Sequence, residues 1–215
     1  MSGSIMSQSA VSRPPKSQSL RSYLRLWLVV LVLGLLAACS EQAGFMGSDI
    51  SDGNIGQDWT LTDHHGQPAS IERFKDKATL VFFGFTQCPD VCPASLSEVN
   101  NALTQLGDQA KDVQVLMITV DPERDSPEVL QAYLEAFSDG VPTEFLGLTG
   151  SPEQIKAAAQ AFRAYYAKVP TADGSYTMDH SASYYLFDAD GQARVLASNQ
   201  AGPDALAHDL KLLLP

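Results

Sequence analysis

Cysteine is scarce in this chain, with three among 215 residues, and histidine is nearly as rare, with four. Three thiols exclude a four-cysteine metal site. Basic residues are few: 14 Lys and Arg stand against 25 Asp and Glu, for a formal charge of −11. So acidic a chain is a poor binder of nucleic acid or of an anionic membrane surface, though it can attract a basic protein. Long hydrophobic runs are also missing. The most apolar stretch, Leu26 to Leu36, is 11 residues, short of the roughly 20 that a membrane-spanning helix needs. There is no internal repeat.

What the first 38 residues do contain is a leader pattern. Arg13, Lys16, Arg21 and Arg25 form a basic region without acids, the apolar run follows, and Ala37-Ala38-Cys39-Ser40 closes it. A basic region, a short apolar core and small residues at the boundary describe a secretory signal. Leu36-Ala37-Ala38-Cys39 resembles the bacterial lipobox, in which the cysteine becomes the lipidated first residue; an uncleaved anchor is the alternative. Either way the domain is tied to a membrane and faces outward. Cleavage before Cys39 leaves ten basic and all 25 acidic residues, for a charge of −15. Ser40 replaces the Asp that often retains such lipoproteins at the inner membrane, so inner and outer membrane both stay open. Residues 39–56, rich in Gly, Ser and Asp, read as a flexible tether. Residues 57–215 are the right size for one core.

Within that core, strand and helix signals alternate. Trp59–Asp63 and Pro68–Ile71 flank His64-His65-Gly66-Gln67, a hairpin pattern. Thr79–Phe85 and Val113–Val120 are continuous apolar runs, as in strands buried on both faces. A helix is expected from near Cys92 to Gly107, with Pro93 in its first turn and Ser95-Leu96-Ser97-Glu98 as a capping box. Ser126-Pro127-Glu128 and Ser151-Pro152-Glu153 open two more helices. The second of these places Ile155, Ala158, Ala159, Phe162 and Tyr166 inward. Phe145–Leu148 is a short strand between them. Ser183–Phe187 and Ala193–Ala197 form a hairpin around Asp188-Ala189-Asp190-Gly191, and Gly202-Pro203-Asp204 starts the last helix. The order implies an α/β, thioredoxin-like fold: a central mixed sheet flanked by helices, with an N-terminal β-hairpin.

Cys88 and Cys92, in Cys88-Pro89-Asp90-Val91-Cys92-Pro93, sit where a buried strand gives way to a helix. A structural disulfide stabilises chiefly by closing a long loop, so a gap of three residues speaks for chemistry instead. Partial positive charge at the helix start favours thiolate at both sulfurs. Such a pair can form a disulfide, attack one, or hold a soft metal.

Two thiolates leave an ion under-coordinated. In a thioredoxin-like sheet the segment entering Ser183–Phe187 lies against the cysteine turn, so His180 is the imidazole that topology brings to the sulfurs. His64 and His65 read as turn residues, and His208 as a solvated residue on the last helix. Two cysteines and one histidine suit copper, since soft sulfur favours Cu(I) and the set also accepts Cu(II); structural zinc normally takes a fourth protein ligand. Asp121 orients His180, meets a partner, or simply belongs to a polar turn, and Asp179 is the alternative orienter.

The segments Gly84 to Pro93, Thr119 to Pro127 and Tyr176-Thr177-Met178-Asp179-His180-Ser181 resemble the SCO/SenC family across nearly the whole domain. The resemblance implies a membrane-tethered copper chaperone for cytochrome c oxidase assembly; together with the lipobox pattern, the expectation is a protein lipid-anchored to the cell membrane and facing the periplasm. The resemblance implies copper ligation by Cys88, Cys92 and His180. It also implies delivery to the binuclear copper-A site of oxidase subunit II, with other copper chaperones and thioredoxin-like reductants as further partners. Gln87 departs from the family's frequent His or Tyr before the first cysteine. The alternative is a thiol–disulfide oxidoreductase that uses Cys88 and Cys92 to reduce the target's copper-site cysteines. A peroxiredoxin-type peroxidase fits poorly, because Phe85 and Pro89 stand where that family has a Thr three residues before its reactive Cys.

Overall fold

The computed structural model describes residues 44–215, so the leader and Cys39 lie outside the described residues. Among the described residues, no helix is long and apolar enough to cross a membrane. The strands are β1 (Ser48–Asp49), β2 (Leu61–Asp63), β3 (Pro68–Ala69), β4 (Ala78–Gly84), β5 (Val113–Thr119), β6 (Glu144–Thr149), β7 (Tyr166–Pro170), β8 (Tyr176–His180), β9 (Ser183–Phe187) and β10 (Ala193–Ser198). The helices are α1 (Val91–Leu106), α2 (Pro127–Glu135), α3 (Pro152–Phe162) and α4 (Pro203–Leu213).

Eight strands make one mixed sheet in the order β1-β10-β9-β4-β5-β6-β2-β3. The β4–β5 and β5–β6 pairs are parallel, and β4–β9 and β9–β10 are antiparallel. This is the thioredoxin-like arrangement expected from the alternation of elements. The continuous apolar runs have a simple cause. Along β4, Leu80 and Phe82 enter the core under α1 and α4, while Val81 and Phe83 enter the core under α3. Along β5, Val115 and Met117 take the first side and Leu116 and Ile118 the second. With both faces covered there is no polar register to keep. Burying each such side chain contributes about 1.5–3 kcal/mol, which makes these strands the rigid base for the turn after Gly84.

Three local expectations are corrected. First, the tether does not extend to residue 56. β1 pairs with β10, Ile55 is buried in the core, and the Met46 and Gly47 amides donate to the buried Asp209 carboxylate at 2.7 and 2.8 Å. Second, α1 begins at Val91 with Asp90 as its N-terminal neighbour and no side-chain cap. Ser95 lies inside the helix and is buried, so Ser95 and Glu98 do not form a capping box. The capping box is at α3, where Ser151 and Gln154 exchange bonds. Third, Tyr166 is not on α3. Arg163 takes a left-handed conformation (φ 53°) that ends the helix, and Tyr166 starts β7. β7 and β8 form a separate two-stranded sheet, with Tyr166 opposite His180.

Candidate metal centre

Cys88 lies in the turn after β4, and Cys92 lies in the first turn of α1. The turn is held at both ends. The Cys88 amide donates to the Phe85 carbonyl at 3.2 Å, and the Ala94 amide to the Asp90 carbonyl at 3.2 Å. Buried Asp125 fastens the turn to the end of β5: it accepts the Thr86 amide at 3.1 Å, the Thr86 hydroxyl at 2.6 Å and the Thr119 hydroxyl at 2.6 Å. Cys92 is fully buried and Cys88 half-buried, and the Cys92 amide donates to Cys88 Sγ at 3.4 Å. Gly84 leaves room for the sulfur. A Cβ there would lie 3.0 Å from Cys92 Sγ and 3.2 Å from Met117 Cε.

His180 closes β8, one turn before β9. Because β9 runs antiparallel to β4, with Tyr184 opposite Phe82, the start of β9 lies beside the end of β4. Sheet topology therefore delivers His180 to the cysteine turn. Its ring packs edge-on against Phe85, with centroids 5.8 Å apart. Nδ1 is 2.9 Å from the Ser181 carbonyl oxygen. A carbonyl only accepts, so Nδ1 carries the proton and Nε2 keeps its lone pair. That lone pair faces Cys92 Sγ at 3.6 Å. The three donor atoms all lie within 4.8 Å of one another, the one such group of His, Cys, Asp or Glu among the described residues.

These separations suit a bound ion. Three donors around one metal, with sulfur at ~2.3 Å and nitrogen at ~2.0–2.1 Å, stand about 4 Å from one another. Small movements would complete the site. Burial, the adjacent Cys88 and the Asp125 carboxylate all push the Cys92 thiol well above its ordinary pKa. The helix start was expected to favour thiolate at both sulfurs; at Cys92 desolvation wins, and the metal-free residue is a thiol. A metal must therefore displace its proton.

The other candidates do something else. Asp121 is buried, pairs with Arg124 and accepts the Tyr176 hydroxyl at 2.9 Å. Asp179 is exposed. Neither orients His180; the Ser181 carbonyl does. The Gly147 amide donates to His64 Nδ1 at 3.1 Å, so His64 Nε2 carries the proton and donates to His65 Nε2 at 3.1 Å. His64 thus stitches the hairpin turn to β6, a more structural role than that of a plain turn residue. His208 is half-exposed on α4, with Nδ1 3.0 Å from Asp209 Oδ1. Gln87 is exposed and is not a member of the donor group. Sequence reasoning passed over Gly84, Asp125 and the Ser181 carbonyl as parts of the centre. Gly84 had a visible signal, a glycine ending a buried strand, whereas Asp125 stands in the loop between β5 and α2, where an acid is unremarkable. A backbone carbonyl has no signal.

Comparison with known proteins agrees with this geometry. The SCO1/SenC family profile matches residues 48–214. A SCO2-like protein of Rickettsia felis is 37% identical over 164 residues, covering 75% of this chain and 78% of the relative. The structure of Bradyrhizobium japonicum ScoI with copper bound is 42% identical with a TM-score of 0.67, covering 74% of this chain and 99% of that one. The solution structure of apo Sco1 from Thermus thermophilus is 37% identical with a TM-score of 0.69, covering 81% and 100%. With a matching profile across most of its length and a fold that brings two thiols and an imidazole to one point, the chain belongs to the SCO1/SenC family.

Proposed function

We propose that this protein is a membrane-tethered copper carrier that binds copper through Cys88, Cys92 and His180 and delivers it to the binuclear copper-A site of cytochrome c oxidase subunit II. Residues 1–38 are its signal, Cys39 its lipidated anchor, and the described fold its copper-binding domain, on the outer side of the membrane. The observation that carries the reading is the fixed tautomer of His180, whose Nε2 lone pair faces a buried sulfur 3.6 Å away. Soft thiolate with neutral imidazole is a donor set suited to Cu(I).

Each residue has a distinct part. Cys92 supplies a buried thiolate once copper displaces its proton. Cys88 is half-buried and is the sulfur a receiving protein can approach. His180 arrives on a strand pair outside the main sheet, so it can withdraw while the thiolates stay fixed. A three-ligand site leaves room for an incoming ligand before any resident one leaves. The presence of copper-bound ScoI among the structural relatives supports this choice of metal.

An anaerobic Cu(I) titration of the reduced chain, read with X-ray absorption, tests the proposal. One equivalent bound by two sulfurs and one nitrogen is expected, with the nitrogen lost in His180→Ala. No tight binding, or a His180→Ala variant indistinguishable from wild type, overturns it.

One observation favours a second reading, reduction of the target's cysteines. Accessible Cys88 lies 3.4 Å from the Cys92 amide beside a buried partner thiol, an arrangement suited to disulfide exchange. Two electrons and two protons would pass from the Cys88–Cys92 pair to the target disulfide. That reaction does not need His180, so a His180→Ala variant that reduces the target at the wild-type rate would favour it.

A further inference from the structure

The strand pair that carries His180 is not hydrogen-bonded into the main sheet, so something else must fix its position. Tyr176, at the start of β8, lies on the same face of the strand as His180, by the period of two. The Arg124 guanidinium lies 3.8 Å from the centre of the Tyr176 ring, and Lys168 Nζ lies 3.8 Å from the same ring. Arg124 Nη1 donates to the Tyr176 carbonyl at 3.1 Å, and the Tyr176 hydroxyl donates to buried Asp121 at 2.9 Å. Arg124 pairs with Asp121 as well, so one buried carboxylate anchors both groups. The guanidinium also lies 6.0 Å from the Phe85 ring, the ring that packs against His180. Arg124 therefore touches the strand pair at Tyr176 and the cysteine turn at Phe85.

We propose that Arg124 and Tyr176 form a clasp that positions His180 against Cys88 and Cys92, and that opening the clasp leaves a two-sulfur site from which copper passes to its recipient. This rests on the copper reading above. Neither residue offers a ligand atom; both are positioning residues acting through His180. Cation–π contact with a partly desolvated guanidinium is strong enough to hold a strand pair and weak enough to yield to a docking protein. Arg is suited to the task, since its flat fork can stack on the ring and reach the carbonyl and Asp121 together.

The test is a double-mutant comparison on the reduced chain. Tyr176→Ala and Arg124→Ala are each expected to weaken Cu(I) binding by about tenfold, at the lower end of what lost orienting contacts do to a metal site. In a His180→Ala background the same substitutions should cost nothing more, because the residue they position is gone. Tyr176→Phe keeps the ring stack and should retain most of the affinity. A copper-free readout stands beside these: amide exchange in residues 176–181 should rise in Arg124→Ala while α1 and β4 stay protected. If the losses add to that of His180→Ala, or if exchange in residues 176–181 is unchanged, the clasp is wrong. If His180→Ala itself binds copper like wild type, the copper reading fails instead, and the exchange data still decide whether the clasp holds the strand pair.

Discussion

Gly84 offers the sharpest separation between packing and metal binding. An added methyl would meet Cys92 Sγ at 3.0 Å, Met117 Cε at 3.2 Å and Phe82 Cε2 at 3.3 Å, all side-chain atoms. Ordinary contact is about 3.5–4.0 Å, so the sulfur must retreat by roughly 0.5–1 Å. A metal site tolerates about 0.2 Å in its ligand distances. Overpacking of a core costs about 1–3 kcal/mol, partly offset by the ~0.4–1 kcal/mol gained when alanine restricts the unfolded chain. We therefore expect Gly84→Ala to lose no more than about 2.5 kcal/mol in urea unfolding of the reduced, metal-free protein. Its Cu(I) affinity should fall tenfold to a hundredfold against a competing chelator. The control is Gly147→Ala, whose methyl would lie 2.7 Å from Leu130 Cβ, an atom tied to the α2 backbone. That variant should be the less stable of the two and bind copper normally. Wild-type affinity in Gly84→Ala, or an equal loss of affinity in a folded Gly147→Ala, would refute the reasoning.

The remaining predictions concern protons, anchors and caps. Because burial holds the Cys92 thiol protonated, Cu(I) binding should release its proton, and apparent affinity should rise about tenfold per pH unit between pH 6 and 8 for each thiol proton displaced; a flat profile would show a preformed thiolate. Burial, opposed by the bonds from Thr119 and Thr86, raises the pKa of Asp125 above its ordinary 3.8. Its contribution is then fully present below pH 3.8 and is lost as pH rises through the folded value. Wild type should thus lose stability relative to Asp125→Asn as pH climbs from 4 towards 7, and parallel curves would disprove this. Asp209→Ala removes the acceptor of the Met46 and Gly47 amides, so it should cost about 1–3 kcal/mol and raise amide exchange over residues 46–50. Ser151→Ala breaks the α3 capping box and should cost about 1 kcal/mol in urea unfolding.

Sequence revealed most where one physical cause dominated. β4 and β5 are apolar on both faces because both faces are covered, and the Ser-Pro-Glu starts of α2 and α3 mark caps that the structure contains. His180 was traceable to the cysteines because strand order alone brings them together. The β7–β8 pair was hidden because it is half-exposed: Tyr166 and Met178 pack against the core, while Arg124 and Lys168 hold the pair at the Tyr176 ring through contacts that leave no hydrophobic pattern. Tyr166 continues the helical spacing of α3, and the residue that ends the helix is Arg163 in a conformation that usually signals glycine. The false cap at Ser95 arose from a pattern match four residues inside a helix whose true start has no side-chain cap. Sequence left open whether a carboxylate, Asp121 or Asp179, orients His180; the neighbouring Ser181 carbonyl does.

Cys92 and His180 are 88 positions apart in sequence yet 3.6 Å apart in space. A nascent or partly unfolded chain possesses both thiols but not the imidazole, which arrives only after β9 has docked beside β4. Non-local pairing of this kind forms late, once the entropy of closing a long loop has been met. With Cys88, Cys92 and His180 as the proposed ligands, full-strength loading would be a certificate of completed folding: a chain that stalls before its last strands join would have only a sulfur pair to offer, and would carry its metal less tightly than the finished protein.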